Sequence, residues 1–198
     1  MQARELDELK TLLLREPRRT LAVAESVTCG HLQASIGAIS GASEFFLGGI
    51  TAYTLDEKVK HLGVKRAAAK AVNSVSAEVA EQMARGACAL FGSDFALATT
   101  GYAEPFDLAQ GRPFDGGPSR TAQGRPSAKR KITAPFAWWA LAHAPGSRSG
   151  RGGKFIVRSG RVDGPGLARV AMQAFVAERA LMELVGYLRG RRSTPRSL

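Results

Sequence analysis

The chain has 198 residues, 44% of them hydrophobic, and carries a formal charge of +11. That length supports one substantial core rather than two. No run reaches the roughly 18 consecutive apolar residues of a membrane span. Residues 1–16 alternate charge with leucine in a helical rhythm unlike a signal peptide, so a cytoplasmic location is expected. Cys29 and Cys88 are too few for a disulfide framework and lack the clustered spacing of a zinc site, so neither a disulfide nor a metal is expected. The charge is unevenly placed: residues 1–100 hold 11 basic and 11 acidic side chains, and the whole excess falls in the second half. Much of it lies in Gly/Pro/Ser-rich stretches and a basic tail at 189–198. Such a surface reads as solubilising charge, with a basic nucleic-acid-binding module as the alternative.

Leu6, Leu9, Leu12, Leu13 and Leu14 fall at helical spacing and Pro17 stops them, so an amphipathic helix opens the chain. The apolar run at 21–24 predicts a short strand ending in Glu25-Ser26, and residues 31–36 read as the helix after it. Gly48-Gly49 precede a β-branched and aromatic strand at 50–54; residues 55–62 then look helical until Gly63. Ser76 is a good N-cap for a helix over 77–91, with Glu78 favourable in its first turn. Residues 95–100 predict the next strand. Residues 136–142 and 154–157 predict two more strands joined by a Gly/Arg-rich loop at 146–153, and an apolar stripe runs along a helix at 165–188. Elements in this order predict a three-layer α/β/α domain with a mixed, partly antiparallel sheet.

Residues 106–131 fit no such core. They are poor in apolar side chains, and Ala109-Gln110-Gly111-Arg112-Pro113 nearly recurs as Ala122-Gln123-Gly124-Arg125-Pro126. A run of that kind reads as a low-complexity insertion within a single domain spanning 1–198.

Ser26 falls where the first strand hands over to a helix. There a hydroxyl would have free backbone N–H groups nearby, able to stabilise a tetrahedral oxyanion. A serine before a helix also reads as a plain cap. Lys58, on a short helix, reads by itself as a surface residue. No Gly-x-x-x-x-Gly-Lys loop or dinucleotide fingerprint is present, so no cofactor is expected. His31, His61 and His143 suggest no triad.

Several spaced motifs add to this. Ala24-Glu25-Ser26-Val27-Thr28-Cys29-Gly30 resembles the Glu-Ser-Cys-Thr-Gly-Gly signature of the CinA carboxy-terminal family. Gly41-Ala42-Ser43, Gly48-Gly49-Ile50-Thr51-Ala52-Tyr53, Lys58 with Leu62-Gly63-Val64, and Thr100-Gly101-Tyr102-Ala103-Glu104-Pro105 are similar to later elements of the same pattern, in the same order. The resemblance covers 21–105 well. It implies a competence/damage-type protein with nicotinamide-nucleotide amidase activity and a part in NAD recycling: hydrolysis of the carboxamide of nicotinamide mononucleotide by a serine/lysine pair, here Ser26 and Lys58. It also implies a small-molecule amide or nucleotide as ligand, and a homo-oligomer. A buried lysine can lose its proton near neutral pH and accept the serine proton. Tyr53, near the strand end, has a hydroxyl that could orient the lysine or the amide, or is a packed strand aromatic. Thr28, Gly30, Ser43, Thr100 and Gly101 are the substrate-binding candidates, with the backbone N–H groups of 28–30 expected to hold the oxyanion.

The chain departs from the pattern at two places near these residues. Cys29 replaces a glycine, as a small filler or a reactive thiol. Glu104 replaces another. A carboxylate about 5 Å from a substrate phosphate would repel it by roughly 3 kcal/mol per unit charge at an effective dielectric near 20. Glu104 therefore motivates a rival reading, a CinA-like paralogue that acts on another small amide or on none.

Overall fold

The computed structural model describes residues 3–107, 112–113, 131–144 and 154–190. Helix α1 (Ala3–Leu14) turns Leu9 and Leu13, one helical turn apart, fully inward. Strand β1 (Leu21–Glu25) is buried at every position, as a run covered on both faces of a sheet must be. Then come α2 (His31–Gly37), β2 (Phe46–Thr51), α3 (Leu55–Leu62), α4 (Arg66–Ala71), α5 (Ala77–Phe91) and β3 (Phe95–Tyr102). The two-residue strands β4 (Phe106–Asp107), β5 (Arg112–Pro113) and β6 (Lys131–Ile132) form a small antiparallel sheet. Strands β7 (Phe136–His143) and β8 (Ile156–Asp163) and the long α6 (Arg169–Gly190) follow.

The main sheet has the order β2-β1-β3-β7-β8, its first three strands parallel and its last two antiparallel. Helices cover both faces, and the pleat sorts side chains between them by size. Leu21, Val23, Phe95, Leu97, Trp139 and Leu141 pack with α1, α2 and α6. Ala24, Ala96, Ala98, Ala140 and Ala142 meet α3, α4 and α5. The alanine face lets α5 seat close to the sheet, and Gly86 of α5 lets α3 seat close in turn: a Cβ there would stand 2.2 Å from the Leu62 carbonyl oxygen. The closeness of that contact fixes the helix that carries Lys58.

The expected three-layer architecture is present, with three shifts in its elements. Strand β2 runs 46–51 rather than 50–54, because Gly48 and Gly49 themselves pair with Ala22 and Val23; the β-branched Thr54 instead caps α3, its Oγ1 accepting from the Glu57 N–H. Strand β8 runs 156–163 rather than 154–157. It is an edge strand held to β7 by an unbroken backbone register, so Arg158, Ser159 and Arg161 need no apolar alternation. Helix α6 starts at Arg169 rather than 165, after a turn in which Gly166 takes a left-handed φ of 76°. Helix α4 and a single 3-10 turn at Ala42–Glu44 have no counterpart in the sequence reading.

Of the expected insertion at 106–131, the two ends and 112–113 are described. The first copy of the near-repeat apart from 112–113, all of the second copy, the Gly/Arg-rich loop at 146–153 and residues 191–198 of the basic tail lie outside the described residues. Among the described residues no helix is long and apolar enough to cross a membrane.

Candidate active site

The three parallel strands deliver their carboxyl ends side by side, the place where open α/β sheets form ligand crevices. Ser26 follows β1, Tyr53 and Thr54 follow β2, and Thr100, Gly101 and Tyr102 close β3. A cleft of about 500 Å³ opens there, within the usual range for small-molecule sites. Ser26 is 8% exposed, and its N–H donates to the Thr99 carbonyl at 3.0 Å. It thus continues the sheet edge. The reading of Ser26 as a helix cap is set aside, since α2 begins only at His31, after Gly30.

Lys58 is 2% exposed despite its charge-bearing end. Its Nζ lies 2.9 Å from Ser26 Oγ and 2.9 Å from the Tyr53 carbonyl oxygen, to which it donates. Burial lowers its pKa from 10.5 to about 8, because removing the ammonium from water disfavours the charged form. A substantial neutral fraction is then present near pH 8, with a lone pair available beside the serine hydroxyl.

Glu25 immediately precedes Ser26 and is fully buried. Its Oε2 accepts from Thr28 Oγ1 at 2.6 Å, Gly30 N at 2.9 Å and Leu32 N at 3.1 Å, and its Oε1 accepts from Gln33 N at 2.9 Å. Thr28 Oγ1 also meets Thr99 Oγ1 at 2.7 Å. One carboxylate therefore satisfies the opening amides of α2 and pins the turn that presents Ser26. Thr28 and Gly30 serve this anchor and are absent from the cleft lining, so the Gly30 N–H expected to hold an oxyanion is engaged with Glu25. The sequence reading gave Glu25 no role. The signal was there in a carboxylate placed just ahead of a helix start, where orphan N–H groups seek an acceptor.

Tyr53 reaches Lys58 through its carbonyl rather than its hydroxyl. The hydroxyl, on a half-exposed ring, accepts instead from Arg169 Nη2 at 2.7 Å. Thr100 and Gly101 line the cleft as expected, and Thr100 Oγ1 donates to the Ser74 carbonyl at 2.7 Å, tying β3 to the opposite wall. Ser43 is exposed in the 3-10 turn and does not reach the cleft. Asn73 and Ser74 line that wall in left-handed conformations, with φ of 49° and 61°, a strain that concentrates at functional sites. Asn73 Nδ2 donates to the Tyr102 hydroxyl at 3.0 Å, and the Phe106 ring packs at a tilt against Tyr102, 5.1 Å between centroids. Lys70, Asn73, Ser74, Phe106 and Arg169 were not among the sequence candidates. None of the three histidines lines the cleft: His61 pairs with Glu57, and His143 is buried against Phe95 and Tyr187. Cys29 is exposed beside the start of α2, and Cys88 is buried with its pKa pushed up to about 12 by desolvation.

A mixed sheet between two helical layers, with a serine and a buried lysine meeting at the ends of its parallel strands, defines a three-layer α/β protein with a candidate nucleophile and base. The family model of the CinA C-terminal domain matches residues 3–114, and the chain belongs to that family. It is similar to a CinA-like protein of Picosynechococcus sp., 50% identical over 93 residues, and to one of Geobacter metallireducens, 45% identical over 100 residues. The matched segments are 47% and 50% of this chain but 22% and 24% of those proteins, so the chain spans about a quarter of the length of the curated relatives it matches. Among solved structures it is similar to the competence damage-inducible protein A of Klebsiella pneumoniae, with TM-score 0.68 and 25% identity over 96% of this chain and 98% of that one. The fold is shared with a CinA superfamily protein from Enterobacter cloacae, with TM-score 0.67 and 22% identity over 93% and 90% of the two chains.

Proposed function

We propose that the protein is a Ser/Lys amidohydrolase that hydrolyses the carboxamide of nicotinamide mononucleotide to nicotinate mononucleotide and ammonia. The observation that carries this reading is the 2.9 Å approach of Lys58 Nζ to Ser26 Oγ within the cleft. Neutral Lys58, steadied by the Tyr53 carbonyl, takes the Ser26 proton as Oγ attacks the amide carbon. The tetrahedral intermediate then expels ammonia as the C–N bond breaks, and protonated Lys58 supplies the proton the leaving nitrogen needs. Water hydrolyses the resulting ester, Lys58 again accepting a proton, and releases the carboxylate with Ser26 restored.

Incubating the purified protein with nicotinamide mononucleotide and measuring ammonia tests the reading. Stoichiometric ammonia and nicotinate mononucleotide are expected. A second reading, a CinA-like relative that keeps the pair but takes a different small amide, is favoured by Glu104, whose carboxylate stands in the cleft lining. No ammonia at high protein concentration would favour that second reading.

A further inference from the structure

Among the described residues, four charged ones line the cleft: Lys58, Lys70, Glu104 and Arg169. Lys58 is buried and engaged with Ser26. Lys70 is an exposed side chain of α4, a hydrated point charge on a flexible stem. Arg169, at the start of α6, is different in kind, because a guanidinium is a planar fork suited to gripping a carboxylate or phosphate through two N–H groups. Its fork is already occupied. Nη1 donates to Glu104 Oε1 and Nη2 donates to the Tyr53 hydroxyl, so the three residues bridge the segment after β3, the approach to α3 and the start of α6 across one mouth.

Resting on the amidohydrolase reading, we propose that Glu104 is a specificity-determining residue: by holding Arg169 it removes the preference for a phosphate on the ligand, so the cleft takes carboxamides without a phosphate at least as readily as the nucleotide. A ligand phosphate gripped by Nη1 must displace Glu104, and one held by the other N–H groups of Arg169 still lies close to its carboxylate. An uncharged or cationic amide meets neither cost. The side chains of Arg169 and Glu104 are 44% and 32% exposed, so solvent damps the effect. A discrimination of about tenfold is the scale expected for one charge near 5 Å in a half-solvated site.

The test compares nicotinamide mononucleotide with nicotinamide riboside, which has the same pyridinium carboxamide without the phosphate. Calorimetry on Ser26→Ala protein gives both affinities in the absence of turnover, and the same titrations are made with Glu104→Gln and Glu104→Gly added. The nucleotide is expected to bind no more tightly than the nucleoside to the Ser26→Ala protein. Each Glu104 replacement should raise the nucleotide-to-nucleoside affinity ratio by about tenfold. A nucleotide preference already present with Glu104 intact, a ratio unmoved in both replacements, or no binding of either compound to any of the proteins would overturn the proposal. Ammonia release from both compounds by the unsubstituted protein separates the two readings. If neither is hydrolysed while the ratio shifts, the hydrolase reading fails and the role of Glu104 stands; if ammonia appears and the ratio is fixed, the reverse holds.

Discussion

Lys58 Nζ stands 2.9 Å from Ser26 Oγ across 32 positions of sequence, and the parallel pairing of β1 with β2 closes that distance. The register sets Glu25 opposite Thr51, and the Ala52 N–H donates to the Glu25 carbonyl at 2.9 Å. The two strands therefore leave the sheet together. One becomes the turn at Ser26, and the other passes through Tyr53 into α3. Gly63 ends α3 with a left-handed φ of 65°, and the seat against Gly86 of α5 holds its axis. Lys58 is left with its stem in the protein and its amine on the serine.

Ser26→Ala is expected to abolish ammonia release while the protein stays folded, since it removes one side-chain hydrogen bond worth about 1 kcal/mol and leaves Lys58 its bond to the Tyr53 carbonyl. Lys58→Arg should be nearly as damaging to the rate, because a guanidinium keeps its proton and cannot act as a base. Circular dichroism and thermal melts would establish folding beside the assay. Retention of most of the rate in either variant would refute the mechanism.

The pH dependence follows from the Lys58 pKa near 8. Under the proposed mechanism the free base is the working form, so kcat/KM should rise through a limb centred near pH 8 and level off above it. Stability responds to the same shift in a different window. Between pH 8 and 10.5 the unfolded chain keeps a proton that the native state has released, so this group makes stability rise with pH across that window, and below pH 8 its contribution is flat. The total is about 3 kcal/mol. Denaturant titrations of the parent and Lys58→Met should therefore show their stability difference shifting in the parent's favour by that order from pH 8 to 10.5. A difference constant in pH would mean that Lys58 is not held in this environment.

Glu25→Gln tests the anchor beneath Ser26. A carboxamide has one acceptor oxygen and one donor nitrogen, so it cannot accept from Thr28, Gly30, Leu32 and Gln33 together and leaves at least one buried N–H facing an N–H. The expected loss is about 1–3 kcal/mol of stability. kcat should fall more than KM rises, because the substitution loosens the turn that presents Ser26 rather than the cleft walls. Thermal melts and steady-state kinetics read the two effects separately.

Excising 114–130 and joining Pro113 to Lys131 through a short linker, which keeps all three strands of the small sheet, is expected to change stability by no more than about 1 kcal/mol, since the length of a connection alters closure entropy only slowly. The cut spares Phe106, which lines the cleft against Tyr102, and Asp107, which is buried. A fall of the melting temperature by ten degrees or more would show that this stretch contributes to the core.

Much of the scaffold is fixed by interactions spanning only a few residues, and those are legible in the chain itself. Ser76 and Gly92 bound α5, and Gly63 ends α3, because caps satisfy orphan backbone groups within one turn. The apolar run of β1 predicts a strand, and the serine, the lysine and the order of their motifs single out Ser26 and Lys58. Tertiary structure decided what those residues experience. The burial that brings Lys58 to about 8, the use of the Tyr53 carbonyl instead of its hydroxyl, and the engagement of Gly30 with Glu25 all depend on which strands lie side by side. Arg169 reaches Glu104 across 65 positions and Tyr53 across 116. No local pattern encodes such a contact, because it exists only once β3 and α6 have packed on the same side of the cleft.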